Sequence, residues 1–202
     1  MKITKIVQQQ KRTNRYSISV DGTYAFSLSE AALLSSKITR GQELTQKQLR
    51  ELKLLSGDDK LYAQAFRYAA LRMHTSWEIA RYLERKQASP ALIQELLNKL
   101  SNSGLINDTQ YAKSFVHDHQ LLRPTSRRKI IFELRKKHVP QAIIEAVLSS
   151  NDETDQTALR TIIENKRQQS RYQDDLKLMQ YLARQGFHYG DIKQALSSAP
   201  KP

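Results

Sequence analysis

One layout is written three times in this chain. It stands as "YLERKQASPALIQELL" at residues 82–97, "ELRKKHVPQAIIEAVL" at 133–148 and "YLARQGFHYGDIKQAL" at 181–196. The aliphatics agree position by position: Leu83, Leu134 and Leu182; Ile93, Ile144 and Ile192; Leu97, Leu148 and Leu196. A base recurs at Arg85, Lys136 and Arg184. Upstream, Ile79, Ile130 and Leu178 hold the same register behind Thr75, Ser126 and Asp174, three good helix N-cap residues. Thr75 and Glu78 also have the capping-box spacing.

Each copy reads as a helix, a break, and a second helix. Ser89-Pro90 and Pro140 open that second helix, since proline suits a first turn. A further helical run precedes each capped helix: "KLYAQAFRYAALRM", "TQYAKSFVHDHQLL" and "DQTALRTIIENKRQQ". The unit is therefore three helices in roughly 48 residues, and modules of such a period stack in a row, each burying a face against its neighbour. The expected fold is mainly α: tandem three-helix repeats at 58–106, 107–151 and 152–198, forming an elongated curved array.

Residues 1–57 follow a different pattern. "YSISVDGTYAFSLS", residues 16–29, alternates apolar and small polar residues on both sides of Asp21-Gly22, a strong hairpin signal. That places a β-hairpin at 15–28, and "KITKIV" supplies a third strand because a lone hairpin is marginal in water. Two short helices are expected next. One starts after Ser29, and the other, "TQKQLRELKLL", has Thr45 and Gln48 in capping-box spacing and ends at Gly57. The result is a small N-terminal α/β extension.

Thirty-three Lys and Arg against twenty Asp and Glu give +13, which calls for an anionic partner: nucleic acid or an acidic protein surface. Residues 1–57 alone carry ten bases and four acids, a net +6. No apolar run is long enough to span a bilayer, and the N-terminus lacks a signal-peptide core. The absence of cysteine excludes disulfides and thiolate metal sites and fits a reducing cytoplasm. A cytoplasmic monomer without membrane contact is the expected state.

The segments "LRMHTSWEIARYL" (71–83), "GLINDTQYAKSFV" (104–116) and "SRRKIIFELRKKHVP" (126–140) resemble the RecX family, bacterial regulators of the RecA recombinase. The resemblance covers residues 58–198, with 1–57 in the place of a variable N-terminal extension. Where the family often ends the capped helix with glycine, this chain has Gln87, His138 and Gly186. It has Arg123-Pro124 where a glycine is common. Gln and His enter a left-handed backbone less readily than Gly.

No catalytic constellation stands out. The chain lacks phosphate-cradling glycine loops, G-x-S-x-G and H-E-x-x-H. His117 and His119 diverge by about 200° on a helix and cannot grip one metal together. Asp58-Asp59 and Asp174-Asp175 read as acidic pairs at helix starts. Tyr62, Phe66, Tyr111 and Phe115 recur at helical spacing as a core stripe, and Trp77 reads as a packing residue. The reading is a protein that is not an enzyme and uses no cofactor or metal.

The candidate site is a basic helix face. Projecting residues 127–138 at 100° per residue sets Ile130, Ile131 and Leu134 on the core side. Arg128, Lys129, Arg135 and Lys136 fall opposite, around Phe132. Either Phe132 is covered by an adjacent repeat, or it is an aromatic contact for a partner held by the cations. Arg81 and Arg85 form a weaker version in the first repeat, with Glu84 between them.

The resemblance implies binding to the RecA nucleoprotein filament and inhibition of its extension. ATPase, recombination and the co-protease activity of the SOS response would fall with it, modulating DNA repair. Single- or double-stranded DNA is a further candidate partner. The alternatives are a helix-turn-helix-like protein acting on DNA alone and a helical scaffold for another acidic protein.

Overall fold

The computed structural model describes residues 1–122, 124–150 and 155–198, so Arg123 and the expected 151/152 repeat boundary lie outside the described residues. Three strands come first: β1 (Ile3–Gln9), β2 (Arg12–Val20) and β3 (Thr23–Ser29), an antiparallel sheet in the order β1-β2-β3. Asp21 (φ 48°) and Gly22 (φ 83°) both sit in the left-handed region, the two-residue turn that matches strand twist. Pairing of Ile18 with Phe26 and Tyr16 with Leu28 sets one face of the hairpin inward. There Ile3, Ile18, Val20, Phe26 and Leu28 form a core with Ile38 and Leu44.

Helix α1 (Glu30–Ser36) follows the Ser29 cap, and α2 (Gln46–Ala70) starts from the expected Thr45/Gln48 capping box. The expected stop at Gly57 does not occur: α2 runs on for 25 residues. A glycine inside a helix costs only about 0.5–1 kcal/mol relative to alanine, and three anchors hold α2 to the sheet across that position. The Ser56 hydroxyl donates to the Ser27 carbonyl at 2.7 Å, and the Ser29 amide donates to Asp59 at 2.9 Å. Asp59 also pairs with Arg15 at 2.9 Å, both side chains nearly buried. Asp58 and Asp59 thus stand in mid-helix rather than at a helix start. Burial raises the pKa of Asp58 above the ordinary carboxylate value, with Glu95 adding to the rise and Lys99 opposing it.

The repeats follow the expected order. The capped helices are α3 (Ser76–Arg85), α6 (Arg127–Lys136) and α9 (Asp175–Arg184). Their followers are α4 (Pro90–Asn102), α7 (Gln141–Ser149) and α10 (Tyr189–Ser198). Helices α5 (Asp108–Leu121) and α8 (Asp155–Arg167) open the second and third repeats, while the C-terminal part of α2 opens the first. Pro90 is the first helical residue of α4, but Pro140 is the N-cap of α7, one residue outside it. The matched aliphatics of the capped helices have matching surroundings: Ile79, Leu83, Ile130, Leu134, Leu178 and Leu182 are all buried. In the following helices Ile144, Leu148, Ile192 and Leu196 are buried, but Ile93 and Leu97 are only half-buried, and α4 buries Leu96 and Leu100 instead. Phe66 departs from the expected core stripe at 42% exposure, whereas Tyr111 and Phe115 pack against the second repeat's core.

The contacts group the chain into two compact units, residues 1–72 with 79–105, and residues 73–78 with the chain from Ile106 onward. Within the second unit, Val116, Leu134, Ile144 and Leu148 centre one apolar cluster, and Leu159, Leu178, Leu182 and Ile192 centre another.

All three capped helices end alike. Gln87 (φ 60°), His138 (φ 54°) and Gly186 (φ 90°) are left-handed, so the position keeps its geometry where glycine is replaced. Ala88, Val139 and Phe187 donate their amides back to Leu83, Leu134 and Leu182, and the left-handed residues donate to Glu84, Arg135 and Ala183. This is the Schellman pattern, which satisfies carbonyls a helix end would leave bare.

Candidate functional site

Helix α6 is built from both ends. At its start the Ser126 hydroxyl accepts from the Lys129 amide at 3.1 Å. The same hydroxyl donates to the Gln185 carbonyl at 3.0 Å, as does the Thr125 hydroxyl at 3.0 Å, and the Ser126 amide donates there at 3.3 Å. The C-terminus of α9 therefore abuts the N-terminus of α6. The other end of α6 repeats the joint: the Lys137 carbonyl accepts from the Thr75 hydroxyl, the α3 cap, at 3.1 Å. A third contact recurs too. Asp108 accepts from the Ser76 amide at 2.8 Å, and Asp155 from the Arg127 amide at 2.7 Å. Each opening helix thus lends an acid to the capped helix of the repeat before it.

That loan explains an electrostatic oddity. The first turn of α6 holds Arg127, Arg128 and Lys129 and no acid. Cations at the positive end of a helix dipole cost roughly 0.3–1 kcal/mol each, and the Asp155 carboxylate offsets part of it. At the other end Arg135 and Lys136 oppose the negative pole and favour the helix.

Phe132 is 63% exposed, which removes the alternative that an adjacent repeat covers it. One helical turn away on either side stand Arg128, Arg135 and Lys136, all exposed. The Arg135 guanidinium donates to Gln141 at 2.9 Å, which ties it to the start of α7. Lys129 differs from its expected place on the outer face: it is half-buried and its ammonium donates to the Gln185 side chain at 2.8 Å. It belongs to the joint between repeats as much as to the surface. In the first repeat Arg81 bonds Glu84 at 2.7 Å and is largely neutralised, while Arg85 is exposed.

Two contacts of this region were not foreseen from the sequence, where Trp77 read simply as a packing residue. Trp77 stacks on His138, with ring centroids 4.2 Å apart and planes inclined by 18°. Lys137 reaches Glu78 at 2.7 Å, and Glu78 in turn lies 3.2 Å from His74. The signals were present, because Thr75/Ser126 and Asp108/Asp155 recur at nearly constant spacing. Their role was legible only once the partners faced them.

Comparison with known proteins places this architecture. The family model "Regulatory protein RecX N-terminal domain" matches residues 1–45, "RecX, first three-helix domain" matches 62–100, and "RecX, second three-helix domain" matches 107–148. Regulatory protein RecX of Caldanaerobacter subterraneus subsp. tengcongensis is 32% identical over 199 residues, covering 98% of this chain and 99% of its own. The chain belongs to the RecX family. The RecX match includes the N-terminal sheet, which the motif resemblance had left outside as an extension. Regulatory protein RecX of Bacillus subtilis (strain 168) is 27% identical, covering 96% of this chain and 75% of the relative. A crystal structure of regulatory protein RecX superposes with a TM-score of 0.77 at 26% identity, covering 98% of this chain and 99% of the other. RecX from Lactobacillus salivarius gives 0.57 at 27% identity, over 69% of this chain and 94% of that one. The membership makes a regulatory protein the coarse functional class. Among the described residues no helix is long and apolar enough to cross a membrane.

Proposed function

We propose that this chain is a non-catalytic regulator that binds the RecA nucleoprotein filament and inhibits its extension and its dependent activities. The observation that carries the reading is the outer face of α6, an exposed phenylalanine among Arg128, Arg135 and Lys136, in a member of the RecX family. An aromatic anchor surrounded by cations suits a protein surface that offers carboxylates around an apolar pocket. Three modules, taken as residues 58–106, 107–151 and 152–198 on an N-terminal 1–57 unit, would meet a repeating filament at several places. Serial contacts of modest strength give avidity for polymer over free subunit. Arg85 is a secondary contact, and Arg81 a weaker one because Glu84 holds it.

The test is RecA ATPase on single-stranded DNA with this protein titrated in below stoichiometry. Wild type should inhibit. R128E/R135E/K136E should keep its helix content, since all three side chains are exposed, and should need at least about ten times more protein for half-inhibition. Lys129 is left intact because it holds the joint with Gln185. Full inhibition by the triple variant would show that this face is not the contact.

A further inference from the structure

We propose that the turn between β1 and β2 is the tip of a basic ribbon that contacts the phosphodiester backbone of duplex DNA, independently of the α6 face. The first twenty residues contain Lys2, Lys5, Lys11, Arg12 and Arg15 and not one acid. Arg15 is spent internally on Asp59. Lys2, Lys5, Lys11 and Arg12 are all exposed.

Geometry turns this charge bias into a surface. Strand β3 pairs with β2 only from Arg15 to Val20, so β1 and β2 continue past it as two strands alone. The ribbon is braced by its own amides: the Gln8 side chain donates to the Thr13 carbonyl, and Gln9 donates to the Ser17 hydroxyl at 3.0 Å. Gln10 and Lys11 form the turn, Gln9 pairs with Arg12 behind it, and Gln10, Lys11, Arg12, Thr13 and Asn14 are exposed. A projection with cations, amides and a hydroxyl, and no carboxylate, offers hydrogen-bond donors to phosphate. It lacks what a protein interface needs at its centre, since its large exposed aliphatic, Val7, lies behind the tip. A two-stranded ribbon is also of a width that the major groove of B-DNA admits, which selects duplex over single strand.

The measurement is fluorescence anisotropy of a labelled duplex of about 30 base pairs, and of the same-length single strand, with the full-length protein from about 50 to 200 mM salt. K11E/R12E is compared with R50E/K53E, which alters net charge equally at two exposed positions of α2. Two lost phosphate contacts flatten the log–log salt dependence by about 1.8. K11E/R12E should therefore bind duplex at the lowest salt at least five-fold more weakly than R50E/K53E, with the flatter slope. The single strand should show less than half that loss. Should K11E/R12E melt lower than wild type, the neutral K11Q/R12Q takes its place, with the same ranking expected. Duplex affinity within two-fold of R50E/K53E would overturn the proposal. So would equal loss on the single strand, or no duplex binding by wild type at the lowest salt. RecA inhibition is read separately on the same variants, so that failure of the ribbon and failure of the α6 face are told apart.

Discussion

Gly186 shows how much one missing β-carbon can decide. Its counterparts Gln87 and His138 hold side chains at the same left-handed turn, but a β-carbon at 186 would lie 2.5 Å from the Ser126 hydroxyl oxygen and 3.2 Å from the Lys129 β-carbon. That hydroxyl cannot step aside, because it caps α6 through Lys129 and bonds the Gln185 carbonyl. Gly186→Ala adds overpacking of roughly 1–3 kcal/mol to the left-handed penalty of about 1–2 kcal/mol. Urea unfolding should show a loss of at least about 2 kcal/mol. Gln87→Gly should move the other way, gaining up to about 1 kcal/mol by relieving a left-handed non-glycine residue. If both changes destabilise alike, the turn is not the determinant.

At the scale of elements, α2 carries the main correction to what the sequence predicts. Its glycine stops nothing, because Ser56 and Asp59 tie the helix to the sheet on either side of it. Nothing lies within 4 Å of a β-carbon placed on Gly57. Gly57→Ala should therefore stabilise the protein by about 0.5–1 kcal/mol, the usual helical difference between the two residues. A lower thermal midpoint would mean that the helix needs to yield there. The hairpin, the caps at Thr45, Thr75, Ser126 and Asp174, and the aliphatic register of the repeats were legible because each rests on local periodicity or turn chemistry. The run-through at Gly57 was not, since it depends on Arg15, 44 positions away from Asp59 in sequence. The site divides in the same way. Helical projection placed Phe132 and its exposed neighbours, but it could not see that Lys129 bonds a residue of the next repeat.

For the whole molecule, the proposed function requires a chain carrying +13 to prefer a protein–DNA filament to bare DNA. Phosphate contacts alone cannot give that preference, because counterion release makes them weaken steeply with salt on any nucleic acid. An apolar contact is nearly salt-independent, and under the proposed function the exposed Phe132 would supply one on the α6 face. Raising salt from about 50 to 200 mM should therefore abolish most bare-duplex binding while RecA inhibition falls far less. Phe132→Ala separates the two components. It removes a ring that is 63% exposed, so stability should hardly change. Half-inhibition of RecA ATPase should then require roughly five to ten times more protein, the scale of a single aromatic hot spot. Duplex affinity at the lowest salt should stay within two-fold of wild type, since no charge is lost. Equal weakening of both would mean that the ring stacks on nucleic acid, and the helix-turn-helix-like reading would then replace the regulator of the filament.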